Sequence, residues 1–225
     1  MNRFDAYCAE FFGTAVLLAS VVGSGIMGEN LAGGNNAIAL LANSLATGAT
    51  LYVLISALGP TSGAHFNPAV SLALALAGRF PRRELLPYLL LQFSGATLGV
   101  VLANLMFELP AWQWSGTERQ GAHLLLSEAV ATAGLLLTIV LFLRNSAHSV
   151  ALGVALYITA AYWFTSSTSF ANPAVSFARM FSDTFAGIAP ACVPEFVLVQ
   201  LATAVAIGLL LKLRSRSSPS RQPAA

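Results

Sequence analysis

The sequence predicts an all-α membrane protein with six transmembrane helices and two short re-entrant half-helices, arranged as an inverted repeat. Three observations lead to this prediction: the composition, the lengths of the hydrophobic runs, and a tetrapeptide that occurs twice. Hydrophobic residues make up 56% of the 225 residues, and charged residues make up only 9%. Because soluble domains carry roughly 25% charged residues, this chain is predicted to lie in a membrane.

Six hydrophobic runs are long enough to cross a bilayer, which takes about 20 apolar residues in a helix. They cover about residues 8–28, 37–58, 84–107, 123–143, 148–165 and 191–213. Two further apolar segments, about 67–78 and 172–183, are too short to span. A short capped helix between two spans is typical of a re-entrant segment, whose non-helical lead-in must be covered by protein or line a wet cavity.

Each short segment begins with the same four residues, Asn67-Pro68-Ala69-Val70 and Asn172-Pro173-Ala174-Val175. Asn is a favourable helix N-cap, and Pro is tolerated at the first helical position. A capping Asn uses its side-chain oxygen to accept from a helix N–H, which leaves the two donors of its amide nitrogen free. Two such half-helices aimed at each other would bring amide donors and positive helix ends to one point.

The two tetrapeptides belong to a longer internal repeat. They lie 105 residues apart (172 − 67), and Tyr52 recurs at the same spacing as Tyr157. Glu10, near the start of the first half, corresponds to Glu128 in the second. Each half holds three spans, an odd number, so the second half is predicted to be inverted, with the functional site near the midplane.

Lys and Arg indicate the orientation, because they accumulate on the cytoplasmic side. With the N-terminus inside, only Arg119 and Arg179 of the 11 basic residues fall outside. The other nine are Arg3, Arg79, Arg82, Arg83, Arg144, Lys212, Arg214, Arg216 and Arg221. We expect both termini in the cytoplasm and the chain in the inner (plasma) membrane. One domain over 1–215, with repeats of about 5–110 and 120–213, would precede a disordered tail over 216–225.

These motifs make the sequence resemble the aquaporin, or major intrinsic protein, family over about residues 5–213. The resemblance rests on the doubled Asn-Pro-Ala, the run Ser62 to Val70 that leads into the first half-helix, and the Glu-x-x-x-Thr start of each half. It implies a channel in the lipid bilayer, usually a homotetramer, that conducts small neutral solutes. The implied pore residues are Asn67, Pro68, Ala69, Asn172, Pro173 and Ala174. No cofactor, metal or nucleic-acid partner is expected, and no enzymatic activity.

The sequence departs from the family pattern at one position. In most aquaporins the second motif continues with Arg, which belongs to a four-residue selectivity filter, and here that position is Val175. The resemblance assigns Thr47, Ala160 and Ser169 to the other three positions. Four small uncharged residues predict a wide constriction that passes water, glycerol-like polyols and undissociated metalloid acids such as arsenous acid. Bacterial aquaporins with such a filter are associated with arsenic resistance.

Four further residues are candidates for supporting or selective roles. The resemblance gives the intramembrane carboxylates Glu10 and Glu128 the role of bonding the re-entrant loops, with a proton relay as the alternative. His65 is interpreted as a packed, loop-supporting histidine, with a pH gate as the alternative. Arg179, four residues after the filter position, either places a cation in the outer vestibule, where it would favour oxyanions, or forms a salt bridge with Asp183.

Other functions fit this pattern less well. Secondary active transporters are also built from inverted repeats with broken helices, but they usually carry an ionisable residue that faces the substrate, and the midplane groups here are neutral amides. An intramembrane enzyme would need a base beside Ser169 or Ser176, and none is evident. Within the resembled family, the alternative is a plain water-selective aquaporin.

Overall fold

The computed structural model describes residues 2–145 and 150–217, and in these ranges every regular element is a helix. The helices are α1 Arg3–Leu31, α2 Asn36–Ser62, α3 Pro68–Leu76, α4 Leu85–Met106, α5 Ala122–Asn145, α6 Val150–Phe164, α7 Pro173–Ala178 and α8 Val193–Ser217. Short 3₁₀ turns adjoin α4, α7 and α8, at Arg82–Glu84, Arg179–Phe181 and Pro190–Cys192. The predicted all-α fold with two short half-helices, α3 and α7, is confirmed.

Five helices are long and apolar enough to cross a membrane, namely α1, α2, α4 with its preceding turn, α5 and α8 with its preceding turn. The sixth predicted span corresponds to α6, which is apolar and has 15 described residues. The predicted start of that span, at about 148, lies outside the described residues. So does the predicted tail from 218 onward, while residues 216 and 217 form the end of α8.

The halves are packed so that each half-helix lies against a long helix of the other half. Within the first half α1 contacts α2 and α4, and within the second α5 contacts α6 and α8. Across the halves α2 contacts α6, α3 contacts α8, and α7 contacts α4. This exchange encloses both half-helices in protein, which irregular backbone at membrane depth requires.

Gly95 and Gly99 on α4 allow the close approach of α1. A Cβ atom added at Gly95 would collide with the carbonyl of Phe11, and one added at Gly99 with the carbonyl of Ala15. Small residues at this spacing let two membrane helices come into backbone contact. The contact brings α4 beside the buried carboxylate that α1 carries.

Candidate functional site

Asn67 and Asn172 cap the two half-helices. In each case the side-chain oxygen accepts from the N–H groups two and three residues further on, at 2.8 and 3.4 Å for Asn67 and at 2.9 and 3.3 Å for Asn172. Pro68 and Pro173 occupy the first helical positions, where a missing N–H breaks no helical bond. The sequence motif therefore forms the same local structure twice.

The amide nitrogens of these two residues join the halves. Nδ2 of Asn67 donates to the carbonyl of Ala171, and Nδ2 of Asn172 donates to the carbonyl of Phe66, both at 2.8 Å. Each amide nitrogen carries two N–H donors, so one is used in this reciprocal pair and one is left for a passing molecule. The expectation that both N–H donors of each amide are free is wrong, because one of the two binds the carbonyl of the other half. The N-terminal ends of α3 and α7 meet directly.

The segments that lead into the half-helices have unusual backbone conformations. Positive φ angles occur at Ala64 (48°) and Phe66 (47°) in the first lead-in, and at Ser169 (52°) and Ala171 (47°) in the second. These positions correspond pairwise in the repeat. A non-glycine residue in this region costs of order 1–3 kcal/mol and persists only when its surroundings hold it.

Two fully buried carboxylates hold the lead-ins in place. Glu10 on α1 accepts from the backbone N–H groups of His65 at 2.9 Å and Phe66 at 2.8 Å. Glu128 on α5 accepts the corresponding pair of N–H groups in the second lead-in, at 2.9 and 2.8 Å. Hydrogen bonds to an ionised acceptor are about twice as strong as neutral ones. These contacts favour the loop-supporting role over a proton relay.

Two glutamines that the sequence analysis missed complete these carboxylate sites. Gln92 on α4 donates to the carboxylate of its half at 2.8 Å and to Ser71 at 3.0 Å. Gln200 on α8 donates to the carboxylate of its half at 2.6 Å and to Ser176 at 2.8 Å. A lone amide side chain inside an apolar span, at matching places in both halves, is the sequence signal that would have found them.

His65 is packed among aromatic rings. Its Nδ1 lies 3.0 Å from the hydroxyl of Ser71, and its ring meets the edges of Phe80 and Tyr88 at centroid distances of 4.8 and 5.4 Å. These contacts favour the packed histidine over a pH gate.

A cavity of about 260 Å³ passes both capping asparagines. Its lining extends from Arg79, just beyond α3, to Arg179, just beyond α7. The wall between them is mostly apolar and includes Leu17, Leu51, Leu135, Ile139, Val154 and Ile158. A passage with apolar walls and a few polar groups suits small neutral molecules that exchange part of their hydration shell on the way.

Three of the four predicted filter residues, Thr47, Ser169 and Val175, line this cavity. The hydroxyl of Thr47 lies 3.2 Å from that of Tyr162, which also lines the cavity. The hydroxyl of Ser169 is buried and has no hydrogen-bond partner among the described residues. A buried hydroxyl without a partner is costly unless a water or solute satisfies it.

Ala160, the fourth predicted filter residue, does not face the cavity. It is exposed on the outer side of α6, on the same stripe as Leu152 and Leu156. The cavity side of α6 instead carries Ile158 and Tyr162. The assignment of Ala160 rested on its distance in sequence from Asn172. That distance does not give the position on the helix, because α6 ends at Phe164 and irregular backbone separates it from α7.

Arg179 lies in the wall of the cavity rather than in an open vestibule, since it is only 2% exposed. Its Nε donates to the carbonyl of Ala186, and its guanidinium carbon lies 3.5 Å from the ring centroid of Phe170. The alternative salt bridge with Asp183 is wrong, because that carboxylate accepts from the backbone N–H of Gly116 at 2.8 Å and forms no ion pair with Arg179 among the described contacts.

Arg119 approaches the same ring from the segment that joins the halves. Its guanidinium carbon lies 5.0 Å from the ring centroid of Phe170, and its Nε donates to the carbonyl of Gly187 at 2.9 Å. Burial lowers the pKa of Arg119 from its ordinary value. In the sequence this residue bears only on the orientation in the membrane, and no spacing rule connects positions 119 and 170.

The cavity therefore offers hydrogen bonds to a neutral molecule. The donors and acceptors are the remaining N–H of each capping asparagine and the hydroxyls of Thr47, Tyr162 and Ser169. Over the described ranges, no group of three or more His, Cys, Asp or Glu side chains could hold a metal ion.

Known proteins resemble the chain in sequence and in fold. The family model described as "Major intrinsic protein" matches residues 1–147. The aquaglyceroporin AqpS of Rhizobium meliloti (strain 1021) is 52% identical over 215 residues, which cover 94% of this chain and 92% of that protein. Aquaporin Z of Brucella melitensis is 44% identical over 88 residues, which cover 39% of this chain and 38% of that protein.

One solved structure extends the comparison to the fold. The X-ray structure of the aquaglyceroporin from Plasmodium falciparum superposes with a TM-score of 0.73 and covers 96% of each chain at 18% sequence identity. At this identity the likeness shows the fold alone. The chain therefore shares its overall fold with this solved structure.

Replacing Glu128 with Gln should destabilise the second lead-in. Phe170, Ala171 and Gln200 all donate to the carboxylate, and an amide offers only one acceptor oxygen. The loss of one bond to a charged acceptor costs roughly 1.5–3 kcal/mol. Thermal unfolding in detergent measures this loss, with the exposed Glu195→Gln as the control. Equal stability of the two variants would show that the lead-in does not depend on the carboxylate.

Replacing Ile158 with Trp should obstruct the cavity, whereas the same change at Ala160 should not. Ile158 lines the cavity and Ala160 points outward from the same helix. Stopped-flow light scattering of proteoliposomes should show the water permeability of Ile158→Trp near that of protein-free liposomes, and Ala160→Trp near wild type. The reverse order would restore Ala160 to the filter.

Proposed function

The chain belongs to the major intrinsic protein family, and from this premise we propose that it is a passive channel for water and small uncharged solutes of about glycerol size. The observation that carries the proposal is the cavity that passes both capping asparagines between Arg79 and Arg179. Each amide has one uncommitted N–H in a mostly apolar passage, so a neutral molecule can exchange hydration for hydrogen bonds without being trapped.

Glycerol conduction is supported by the relative and by the wall of the cavity. The protein of Rhizobium meliloti that is 52% identical is named an aquaglyceroporin, and the two chains align over nearly their full lengths. A polyol needs apolar contact for its carbon chain and hydrogen bonds for its hydroxyls. The apolar wall and the hydroxyls of Thr47, Tyr162 and Ser169 supply both.

Undissociated metalloid acids such as arsenous acid belong to the same proposal. They are neutral, about the size of glycerol, and carry their hydroxyls outward. Val175, at the position where most aquaporins have Arg, lines the cavity with an apolar side chain. Passage of these acids would connect the channel to arsenic resistance.

A water-selective channel is the alternative, and two observations favour it. Tyr162, which is much larger than Ala160, forms the cavity face of α6, and Arg179 reaches the cavity from beyond α7. Both side chains make the passage narrower than four small filter residues would. Solute permeability distinguishes the two channels directly.

A secondary active transporter is disfavoured by the charges along the passage. Coupled transporters usually carry an ionisable group that faces the substrate near the midplane. Among the described residues that line the cavity, none is a carboxylate, and the arginines Arg79 and Arg179 lie beyond the ends of the half-helices. His65 also lines the cavity, but its Nδ1 lies 3.0 Å from the hydroxyl of Ser71 and its ring is packed among aromatic rings.

We further propose one channel domain over residues 1–215, with repeats of about 5–110 and 120–213, that forms a homotetramer in the inner (plasma) membrane with both termini in the cytoplasm. Large exposed hydrophobic side chains such as Leu31, Leu90 and Leu198 supply surface for lipid or a neighbouring subunit. Chemical cross-linking in native membranes should give a ladder that stops at four subunits, and a ladder that stops at one would contradict the tetramer.

Replacing Val175 with Arg should block glycerol and arsenous acid and spare water, because a guanidinium at this position narrows the cavity and adds a charge. Light-scattering permeability of the purified protein in liposomes measures all three solutes. Val175→Leu, which adds one methylene group and no charge, is the matched control.

The same measurement on the wild-type protein decides between the two channels. Water flux without any solute flux would refute the broad channel and leave the water-selective one. Solute flux that survives Val175→Arg would place the narrowest point at other residues.

A further inference from the structure

Arg179 is a buried cation that forms no direct ion pair among the described contacts. It is 2% exposed, and the described ion pairs join Glu84 to Arg3 and to Arg83. The carboxylate of Glu128, which accepts from the backbone N–H of Phe170, acts on it only through a longer-range charge interaction. A charge taken out of water is costly unless a counter-ion or hydrogen bonds compensate it. Backbone and aromatic contacts supply only part of that compensation here, so the placement of this side chain needs a reason beyond packing.

Two contacts fix the guanidinium. Its Nε donates to the carbonyl of Ala186, and its carbon lies 3.5 Å above the ring centroid of Phe170, a distance suited to a cation–π interaction. The terminal nitrogens make no hydrogen bond with the described residues, while the side chain lines the cavity. The terminal N–H donors are therefore available to whatever occupies the passage.

The side chain points back toward the filter. Arg179 follows α7 with helical backbone angles, φ −65° and ψ −13°, one turn after Val175. Side chains on a helix lean toward its N-terminus, so a residue covers the surface of the preceding turn. The contact with Phe170, which precedes the half-helix, shows the same direction.

We propose that Arg179 is the charge-selective residue of this channel. Val175 occupies the filter position without a charge, and Arg179, one helical turn later, supplies the cation instead. Its positive charge repels cations and hydronium from the constriction. Its terminal N–H groups, together with the unpartnered hydroxyl of Ser169, donate to and accept from the hydroxyls of a neutral solute. The class of ligand is a small uncharged molecule with several hydroxyl groups.

Two features of the surroundings strengthen this assignment. The half-helix α7 has only six residues, and the side chain of Asn172 already occupies its first free N–H groups, which weakens the positive charge of that helix end. Arg119, whose guanidinium carbon lies 5.0 Å from the same ring, adds a second positive charge nearby. Arg119 does not line the cavity, and Glu128 is bonded to the backbone N–H of Phe170, so Arg179 is the cation that the cavity wall presents beyond α7.

The test measures ions and neutral solutes separately, since the inference rests on the proposed channel function. Arg179→Met keeps an unbranched side chain over Phe170 and removes the charge. Proteoliposomes with this variant should still conduct water, glycerol flux should fall relative to water flux because the guanidinium donors are lost, and potassium and proton flux should rise at least about tenfold, as expected when a unit charge is removed within a few ångströms of the path.

Two controls test whether the effect belongs to Arg179. Arg79→Met removes the other arginine that lines the cavity and should remain as tight to ions as wild type. Arg179→Lys keeps the charge and should also remain tight, although it loses the guanidinium bond to Ala186. If Arg179→Met fails to fold, the double variant Val175→Arg with Arg179→Met, which moves the charge back one turn, should fold, exclude ions and lose glycerol flux.

Three outcomes would overturn the assignment. An ion-tight Arg179→Met channel would show that the half-helix ends exclude ions without this residue. An equal ion leak in Arg79→Met would show that the arginines at both ends of the cavity exclude ions. An ion leak in the double variant would show that a positive charge at position 175 does not replace the one at position 179. Failure of the wild-type protein to conduct glycerol would refute the proposed function instead, and the ion measurement would still decide the role of Arg179.

Discussion

The structure depends on two buried carboxylates that hold two strained segments of backbone. Glu10 and Glu128 lie on different helices of different halves, and each binds consecutive N–H groups just before a capping asparagine. Without an acceptor there, the left-handed residues of the lead-ins would relax and the half-helices would lose their entry angle. The carboxylates have no cationic partner among the described ion pairs, because the groups they serve are backbone N–H donors.

The strained lead-ins determine what the passage presents to a solute. They bring the ends of α3 and α7 together, where each asparagine binds the carbonyl that precedes the other. That mutual bond fixes both amides and leaves one donor of each for a solute. The polar centre of the passage is thus fixed by the fold, and Tyr162 and the stacked Arg179 line the cavity beside it.

Local patterns in the sequence predicted the helices well, but they did not predict the contacts between residues that are distant in the chain. The caps at Asn67 and Asn172 follow from the preferences of Asn and Pro, and the hydrophobic runs gave the helices to within a few residues. The assignment of Ala160 to the filter was wrong, since irregular backbone between α6 and α7 breaks any count from the motif. The stacking of Arg179 on Phe170 was also missed, because it depends on a loop fold that no periodicity encodes.

Each half completes its carboxylate network with its own residues, so the first half has nearly all of its internal bonds once α4 has been synthesised. At the meeting point of the half-helices, the carbonyl of Phe66 and the amide of Asn67 find their partners only in the second half. Each half offers one amide donor and one carbonyl acceptor, and it binds the acceptor and the donor of the inverted other half. Such a pair is self-complementary, as the interface of a two-fold dimer must be. Two separate copies of such a half, packed as an inverted pair, would present the same donor and the same acceptor to each other.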